Sequence, residues 1–200
     1  MANNLRVFDL INDYNNADLV KPSVSYVVEN DKVYYDDNPI PPTPTGYKWI
    51  ATYSDSSVTS AECDSSSAIT EGEITLGDLV SVEIGNCADT IGNNAFRRCS
   101  SLTSCTIGSG VTSIGRSAFD SCFNLTSCTI GSGVTSIGNM AFFPCYNLTS
   151  ITINATTPPT LGDYAFDSSI CPIYVPSQSV EIYKTASGWS DYASRIQPIP

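Results

Sequence analysis

The chain has 200 residues, and its 20 acidic side chains against 9 basic ones give a net charge of −11. Such an acidic chain repels a phosphate backbone, which disfavours nucleic-acid binding. Histidine is absent from the sequence, and histidine is the commonest general base and metal ligand. We therefore expect no catalytic site, no metal site and no cofactor.

Residues 1–37 show no internal repeat, and their pattern predicts a small β-rich segment. Two runs rich in valine and tyrosine, 24–28 and 33–35, flank Asn30-Asp31, which is typical of a β-hairpin. Segments below about 40 residues usually need a partner or an oligomer to be stable. We therefore predict that 1–37 form an attachment or oligomerisation segment.

An apolar run, Leu5-Arg-Val-Phe8, opens this segment, and the stretch from Leu19 to Tyr35 follows it. This arrangement resembles N-terminal segments of structural proteins in Bacteroidales phages, which implies a place on a virion. The start of the chain also lacks the basic residues and the apolar run of a secretory signal. Export through such a signal is therefore not expected.

Residues 38–45 are rich in proline and predict an extended, semi-rigid linker. After the linker, residues 47–53 alternate in polarity like a strand, and 57–71 are acidic and rich in serine and threonine. We predict that 46–73 form a β-hairpin that covers the N-terminal end of the array that follows.

A 23-residue period governs residues 74–172. Copies begin at Ile91, Ile114 and Ile137, a partial copy begins at Leu161, and a degenerate copy precedes the first. A period of this length indicates units that cannot bury their apolar face alone and therefore stack. The pattern predicts a solenoid of about four coils with a shared core.

Within one copy, the spacing assigns a role to each apolar residue. Cys128 and Ile130 alternate with polar residues, which predicts a short strand with both side chains inward. Gly131-Ser-Gly133 is expected to turn the chain through positive φ angles. Phe142 then closes the coil, and the same slots recur one copy earlier, with Phe119 in the aromatic position.

The repeated pattern L-x-x-[CIV]-x-I-x-x-x-V-T-x-I-G-x-x-A-F-x-x-C, over about 74–172, resembles BspA-like leucine-rich repeats. The resemblance implies a mainly β fold, a leucine-rich repeat solenoid with a β-rich N-terminal region and a short helical C-terminal cap. It also implies roles in adhesion and protein binding, and it brings no catalytic residues.

Residues 173–200 are predicted to cap the last coil, since an open solenoid end exposes apolar side chains and unpaired strand groups. A short helix is expected to begin at Ser177 or Ser179 and to end near Gly188. The cap residues expected to cover the last coil are Trp189, Tyr192 and Ile196.

Eight cysteines invite a disulfide framework, but their positions disagree with it. Five of them occupy two repeated slots, and one slot holds Ile151 in the third copy, so these cysteines are interpreted as small buried hydrophobes. The slots are Cys99, Cys122 and Cys145, and Cys105 and Cys128. The remaining three, Cys63, Cys87 and Cys171, cannot be paired from the sequence.

The repeats can be compared with one another to find a surface. Positions that agree between copies should be core or turn, and positions that differ, such as Asn94, Ser117 and Met140, are expected to face solvent. Exposed arginine and aromatic side chains are favoured at interfaces. The candidate ligand-binding residues are therefore Arg97, Arg98, Phe123, Phe143 and Tyr146. The alternative is a solvated edge on which Phe143 and Tyr146 pack against the cap.

A second candidate surface is the polar face of the strands. It comprises Glu83, Thr106, Thr129 and Thr152, with a parallel row of serines beside it. Rows of threonine and serine suit a sheet surface whatever its function, and this face lacks aromatic anchors in the sequence.

These observations favour a non-enzymatic surface binding or display protein. The first hypothesis is a phage virion surface protein, a fibre or decoration, whose repeats contact host or mucosal ligands and whose N-terminal segment docks on the virion or on itself. The alternative is a bacterial cell-surface or extracellular adhesin of the BspA-like class. The expected partner is a protein or glycan on a cell surface, without nucleic-acid binding or membrane insertion.

Overall fold

The computed structural model describes residues 5–9, 27–29, 32–36, 47–63, 68–167 and 169–200. The strands of the N-terminal part are β1 (Leu5–Asp9), β2 (Val27–Glu29), β3 (Lys32–Asp36), β4 (Tyr47–Tyr53), β5 (Val58–Glu62) and β6 (Ala68–Ile69). Those of the repeats are β7 (Leu79–Ile84), β8 (Thr90–Ile91), β9 (Ser104–Ile107), β10 (Ser113–Ile114), β11 (Ser127–Ile130), β12 (Ser136–Ile137), β13 (Ser150–Ile153) and β14 (Thr160–Leu161). At the C-terminal end are β15 (Ile173–Val175), helix α1 (Val180–Thr185) between the 3-10 turns Ser177–Ser179 and Ser190–Arg195, and β16 (Ile196–Pro198).

The repeats fold into a solenoid with two sheets. The larger sheet has the order β16-β15-β13-β11-β9-β7-β4-β5, and the smaller has the order β14-β12-β10-β8-β6. Strands of successive coils pair in parallel without any shift, so that Cys105 lies opposite Cys128, and Cys128 lies opposite Ile151. This register follows from the constant 23-residue spacing, and the expected mainly β leucine-rich repeat solenoid is confirmed.

The core is a set of inner rows that run along the solenoid. Leu102, Leu125 and Leu148 are all buried in one core cluster, as the inward assignment predicted. Beside them runs a stack of four buried phenylalanine rings, which we call the inner stack. Its members are Phe96, Phe119, Phe142 and Phe166, with successive ring centroids 5.0, 4.9 and 5.3 Å apart.

The glycines of the turns serve close packing between coils. A Cβ atom on Gly110 would lie 1.7 Å from the carbonyl oxygen of Asn86, and one on Gly133 would lie 1.9 Å from that of Ser109. The expectation of positive φ at Gly131 and Gly133 was wrong, because positive φ among the described glycines occurs at Gly72 and Gly188 alone. Only glycine lets one backbone approach the next this closely.

An antiparallel hairpin of β4 and β5 lies at the N-terminal end of the larger sheet, where β4 pairs antiparallel with β7. Trp49 and Ala51 join the core from this hairpin. A disulfide between Cys63 and Cys87, with Cα atoms 5.9 Å apart, links the hairpin to the first coil. The short strand β6 lies within the range 46–73 but pairs with β8, as part of the smaller sheet.

The C-terminal cap continues the solenoid before it covers it. Strands β15 and β16 extend the larger sheet in parallel, and α1 follows β15. Ser179 precedes α1 without making a side-chain capping hydrogen bond, and Gly188 adopts φ of +78°. The indole Nε1–H of Trp189 donates to the carbonyl of Pro159 at 2.7 Å, which fixes the cap on the last coils.

Strands β1, β3 and β2 form a separate antiparallel sheet, in which Val28 lies opposite Val33 as a hairpin requires. The turn Asn30-Asp31 and the predicted linker 38–45 lie outside the described residues. The attachment role of 1–37 stays a prediction. Of the helices that the structure describes, none has the length and apolar character needed to cross a membrane.

Candidate functional site

A row of outward side chains lies directly after the buried cysteine slot of each coil. Ser100, Phe123 and Tyr146 follow Cys99, Cys122 and Cys145, respectively. The rings of Phe123 and Tyr146 are 43% and 68% exposed. Their centroids are 5.9 Å apart, and their planes differ by 6°. We call these two rings the outer pair.

The outer pair continues into the next coil through Ile170, which is 95% exposed. Ser169 takes the cysteine slot there, because its backbone N–H donates to the carbonyl of Phe166 at 3.3 Å, as that of Cys122 does to Phe119. Ile170 therefore extends the row, and we call Ser100, Phe123, Tyr146 and Ile170 the outer stripe. Comparing the repeat copies does not reveal Ile170, because its copy is shorter and has serine in place of the cysteine that the other copies carry in this slot.

Asparagine side chains hold the outer stripe on the solenoid. The Asn124 side-chain amide donates to the carbonyl of Ser100 at 2.7 Å, and that of Asn147 donates to the Asn124 Oδ1 at 3.5 Å. Each bond joins one coil to the one before it. The exposed rings thus stand on a backbone fixed by the array.

The two candidate arginines lie in the coil before Phe123 and differ in their contacts. The Nε of Arg97 lies 3.2 Å from Oδ2 of Asp120, which forms an ion pair. Arg98 is exposed, adopts φ of +63° and donates its backbone N–H to the Asp120 carbonyl at 2.7 Å. Among the described residues, no ion pair involves the Arg98 guanidinium.

Phe143 lies apart from the outer stripe. It occupies the slot of Arg97 and Asp120, is half-buried and precedes Pro144 through a cis peptide bond. Tyr146 contacts the ring of Phe123, and its high exposure disagrees with packing against the cap. The exposed aromatic surface is therefore centred on Phe123 and Tyr146, with Phe143 at its margin.

One group of variable positions does not face solvent as expected. Ser117 is buried, and the equivalent Asn94 and Met140 are half-buried. All three adopt positive φ, of 53°, 58° and 57°. The variability there accompanies a shared turn conformation, and the expectation of full exposure was wrong.

The polar strand face forms an in-register ladder. Glu83, Thr106, Thr129 and Thr152 lie opposite one another in register, and Tyr174 continues the row. The Tyr47 hydroxyl donates to the carboxylate of Glu83 at the N-terminal end. The face is therefore more aromatic than the repeats alone suggested, because Tyr174 lies beyond the last full copy.

The cysteines of the repeated slots are buried thiols that take no part in the disulfide, and their burial is as predicted. Burial raises the pKa of Cys145 to about 12. A hydrogen bond to Cys99, followed by burial, raises the pKa of Cys122. The Cys122 and Cys145 thiols therefore stay protonated at neutral pH and are poor nucleophiles. In the part of the chain that the structure describes, no group of three or more acidic or cysteine side chains could hold a metal ion.

A comparison with protein-family models matches residues 75–190 to the BspA type leucine rich repeat region, in six copies. The match includes α1 and extends beyond the predicted 74–172. Strand β15 lies in this additional part of the match and adds a parallel strand to the larger sheet after the recognisable sequence repeat ends. A search of curated proteins found no match.

Proposed function

The chain belongs to the family of BspA-type leucine-rich repeat proteins, a class of binding and adhesion repeats, and on this premise we propose that it binds a surface ligand through its outer stripe, without catalysis. The observation that carries the proposal is the outer pair, two parallel, stacked aromatic rings left exposed on an array that buries the rings of the inner stack. Solvent-exposed aromatic rings that stand together are favoured centres of recognition.

The stacking of the outer pair supports this role. Both rings are stacked and both coils are joined by the asparagine bonds, so little side-chain freedom is lost when a ligand docks. Ordering one flexible side chain at an interface costs about 0.5–1.5 kcal/mol. A pre-ordered aromatic surface avoids much of that cost.

The location we propose is outside the cell. The disulfide between Cys63 and Cys87 supports it, because disulfides form and persist in oxidising environments. This bond favours a bacterial cell-surface or extracellular adhesin, in which the disulfide forms after export. The resemblance of the N-terminal segment to phage structural proteins supports the second candidate, a virion fibre or decoration protein.

Binding of the fluorescently labelled full chain to intact bacterial and mucosal epithelial cells tests the function. The double variant Phe123→Ser, Tyr146→Ser places the residue of the first copy, Ser100, in the next two coils. We expect it to lose binding. The control Thr106→Ser, Thr129→Ser alters the polar strand face and should bind like the parent. Equal binding by the parent and the double variant would contradict the proposed site.

The two locations are separable by mass spectrometry. Tryptic peptides of this chain in washed outer-membrane or culture-supernatant fractions support the adhesin. Their presence in purified phage particles, at an amount that stays constant relative to the capsid protein through a density gradient, supports the virion protein.

A further inference from the structure

Phe123 has two ring faces with different surroundings. One face meets Tyr146. The other is directed toward the preceding coil, where the equivalent position is Ser100, and one coil further, where it is Gly77. The equivalence of Gly77 follows from its contact, since Ser101 Oγ donates to the Gly77 carbonyl at 3.2 Å just as the Asn124 amide donates to that of Ser100.

The outer stripe therefore changes from large to small side chains at Phe123 and leaves a step on the surface. Among the described residues, no aromatic ring or cation stacks on the far face of Phe123. Core rings one coil apart stack at 5.0 Å. A ring-shaped group at that spacing would lie beside Ser100 and continue the aromatic row.

The residues beside this step in the chain include one cation and two polar side chains. Arg98 lies two residues before Ser100, is exposed and takes part in no ion pair with the described residues. Arg97 is held by Asp120, so Arg98 is the cation available to a ligand. Ser100 and Asn124, both exposed, add hydroxyl and amide groups. The chain as a whole carries a net charge of −11. The Arg98 guanidinium, which forms no ion pair with the described residues, provides a local positive charge that attracts a carboxylate.

We propose that the step at Phe123 is a subsite for a carboxylate-bearing pyranose of an acidic glycan. The apolar C–H face of the sugar stacks on the far face of Phe123, its carboxylate pairs with the Arg98 guanidinium, and its hydroxyls bond to Ser100 and Asn124. Arginine binds carboxylates in a two-pronged geometry that adds specificity. This inference rests on the proposed function and gives its ligand a chemical class.

The size and chemistry of the step favour a sugar over a protein partner. A stable protein interface buries about 800 Å² on each side around an apolar centre. Here the far face of one ring is bordered by a hydroxyl, an amide and one cation. Such an arrangement suits a single polar ring with one apolar face.

Three acidic probes cover the common carboxylate sugars: a hyaluronan tetrasaccharide for glucuronate, tetragalacturonate, and 3′-sialyllactose. Each is titrated into the isotopically labelled full chain by NMR, beside its carboxyl-reduced form as the neutral match. We expect at least one acidic probe to shift the aromatic signals of Phe123 and to bind about tenfold or more tightly than its reduced form. Failure of all three, or equal binding of acid and reduced form, overturns the proposal.

Variants locate the subsite. Phe123→Ser and Arg98→Gln should each weaken the acidic probe by about tenfold, whereas Phe123→Tyr should retain binding. The control Lys184→Gln removes the same charge from α1 and should leave affinity unchanged. A similar loss from Lys184→Gln would mean that overall charge, and not the step, binds the probe, and would overturn the proposal.

Failure of this inference is distinguishable from failure of the proposed function. If cells bind the parent but not the Phe123→Ser, Tyr146→Ser variant, and no acidic probe binds, the glycan subsite is wrong and the surface function stands. If the acidic probes bind at Phe123 while intact cells do not bind the chain, the subsite is supported and the cell-surface role fails.

Discussion

The inner stack and the outer pair are two aromatic rows made by the same repeat, and only their surroundings differ. Phe96 and Phe119 in the inner stack lie within 7° of parallel, and the outer pair lies within 6°. The inner rings are buried and the outer rings are exposed. Stacking is therefore a consequence of the coil geometry in both rows, and burial separates the row that stabilises the fold from the row available to a ligand.

The two rows also differ in where they end. The inner stack runs through four coils and passes into the cap, where Phe166 lies 5.9 Å from the ring of Trp189 and 6.0 Å from that of Tyr192. The large side chains of the outer stripe begin abruptly at Phe123, one coil after Ser100. A buried row of rings needs other side chains to cover its two ends. An exposed row can instead end at a surface that a ligand contacts.

The largest expected effect comes from breaking the inner stack. Phe119→Ala removes a buried ring between two neighbours at 5.0 and 4.9 Å, and large-to-small changes of this kind cost about 3–5 kcal/mol. Urea denaturation followed by circular dichroism measures the loss, with Phe119→Leu as a milder control. Unfolding of Phe119→Ala at the same urea concentration as the parent would contradict the structural role of the inner stack.

The next largest effect is expected from the disulfide at the N-terminal end of the solenoid. The Cys63–Cys87 disulfide spans a sequence separation of 24, and closing a loop of that size stabilises a fold by about 3–4 kcal/mol in the chain-entropy model. Cys63→Ser, Cys87→Ser should lower the unfolding free energy by up to that amount. At urea concentrations below the unfolding transition, the variant should still bind the acidic probe at the outer stripe. Loss of probe binding by the folded variant would mean that the outer stripe depends on the disulfide.

The pairing of Cys63 with Cys87 could not be predicted from the sequence. Cys87 lies in a degenerate coil and Cys63 lies in the hairpin, so no repeated slot relates them. Their proximity depends on the antiparallel pairing of β4 with β7, which is a long-range contact without a local signal. The inner rows could be predicted because residues 23 positions apart in the sequence are the ones that lie opposite each other in neighbouring coils.

The 23-residue period also made it possible to compare equivalent positions between copies, and this comparison found only some of the residues of the candidate surface. Phe123 and Tyr146 differ from Ser100 within otherwise similar copies, which marked them. Ile170 was missed because Ser169 replaces the cysteine that marks the slot, and Ser117 was misjudged because a side chain beside a positive-φ turn can vary while buried. Variation between copies is therefore not by itself evidence of exposure, since the variable Ser117 is buried while the variable Arg98 is exposed, and both adopt positive φ.

A smaller effect on the unfolding free energy is expected from the ion pair between Lys48 in β4 and Glu73. Nζ of the buried Lys48 lies 2.8 Å from a carboxylate oxygen of Glu73, which also accepts from the Trp49 indole at 3.1 Å. Burial acts to raise the pKa of Glu73, but hydrogen bonds from Lys48, the Thr70 backbone and Trp49 outweigh it, so the pKa lies below its ordinary value of 4.5.

A lowered carboxyl pKa contributes stability that is present above the unfolded value and lost as pH falls through the folded value. The parent should therefore lose stability below about pH 4.5 more steeply than Glu73→Gln. At pH 7 the variant should be less stable by about 1–3 kcal/mol, since Lys48 loses its charged partner. Urea midpoints of both proteins between pH 3 and 7 measure this, and parallel curves would exclude a role for the pair.

The smallest expected effect on stability is at the outer pair, and it completes the contrast with the inner stack. Phe123→Ser removes an exposed ring and installs the residue that the preceding coil already carries at Ser100, so the unfolding free energy should fall by about 1 kcal/mol or less. The same urea measurement as for Phe119→Ala applies. A loss comparable to that of Phe119→Ala would mean that the outer ring stabilises the coils, and its exposure would then need no ligand to explain it.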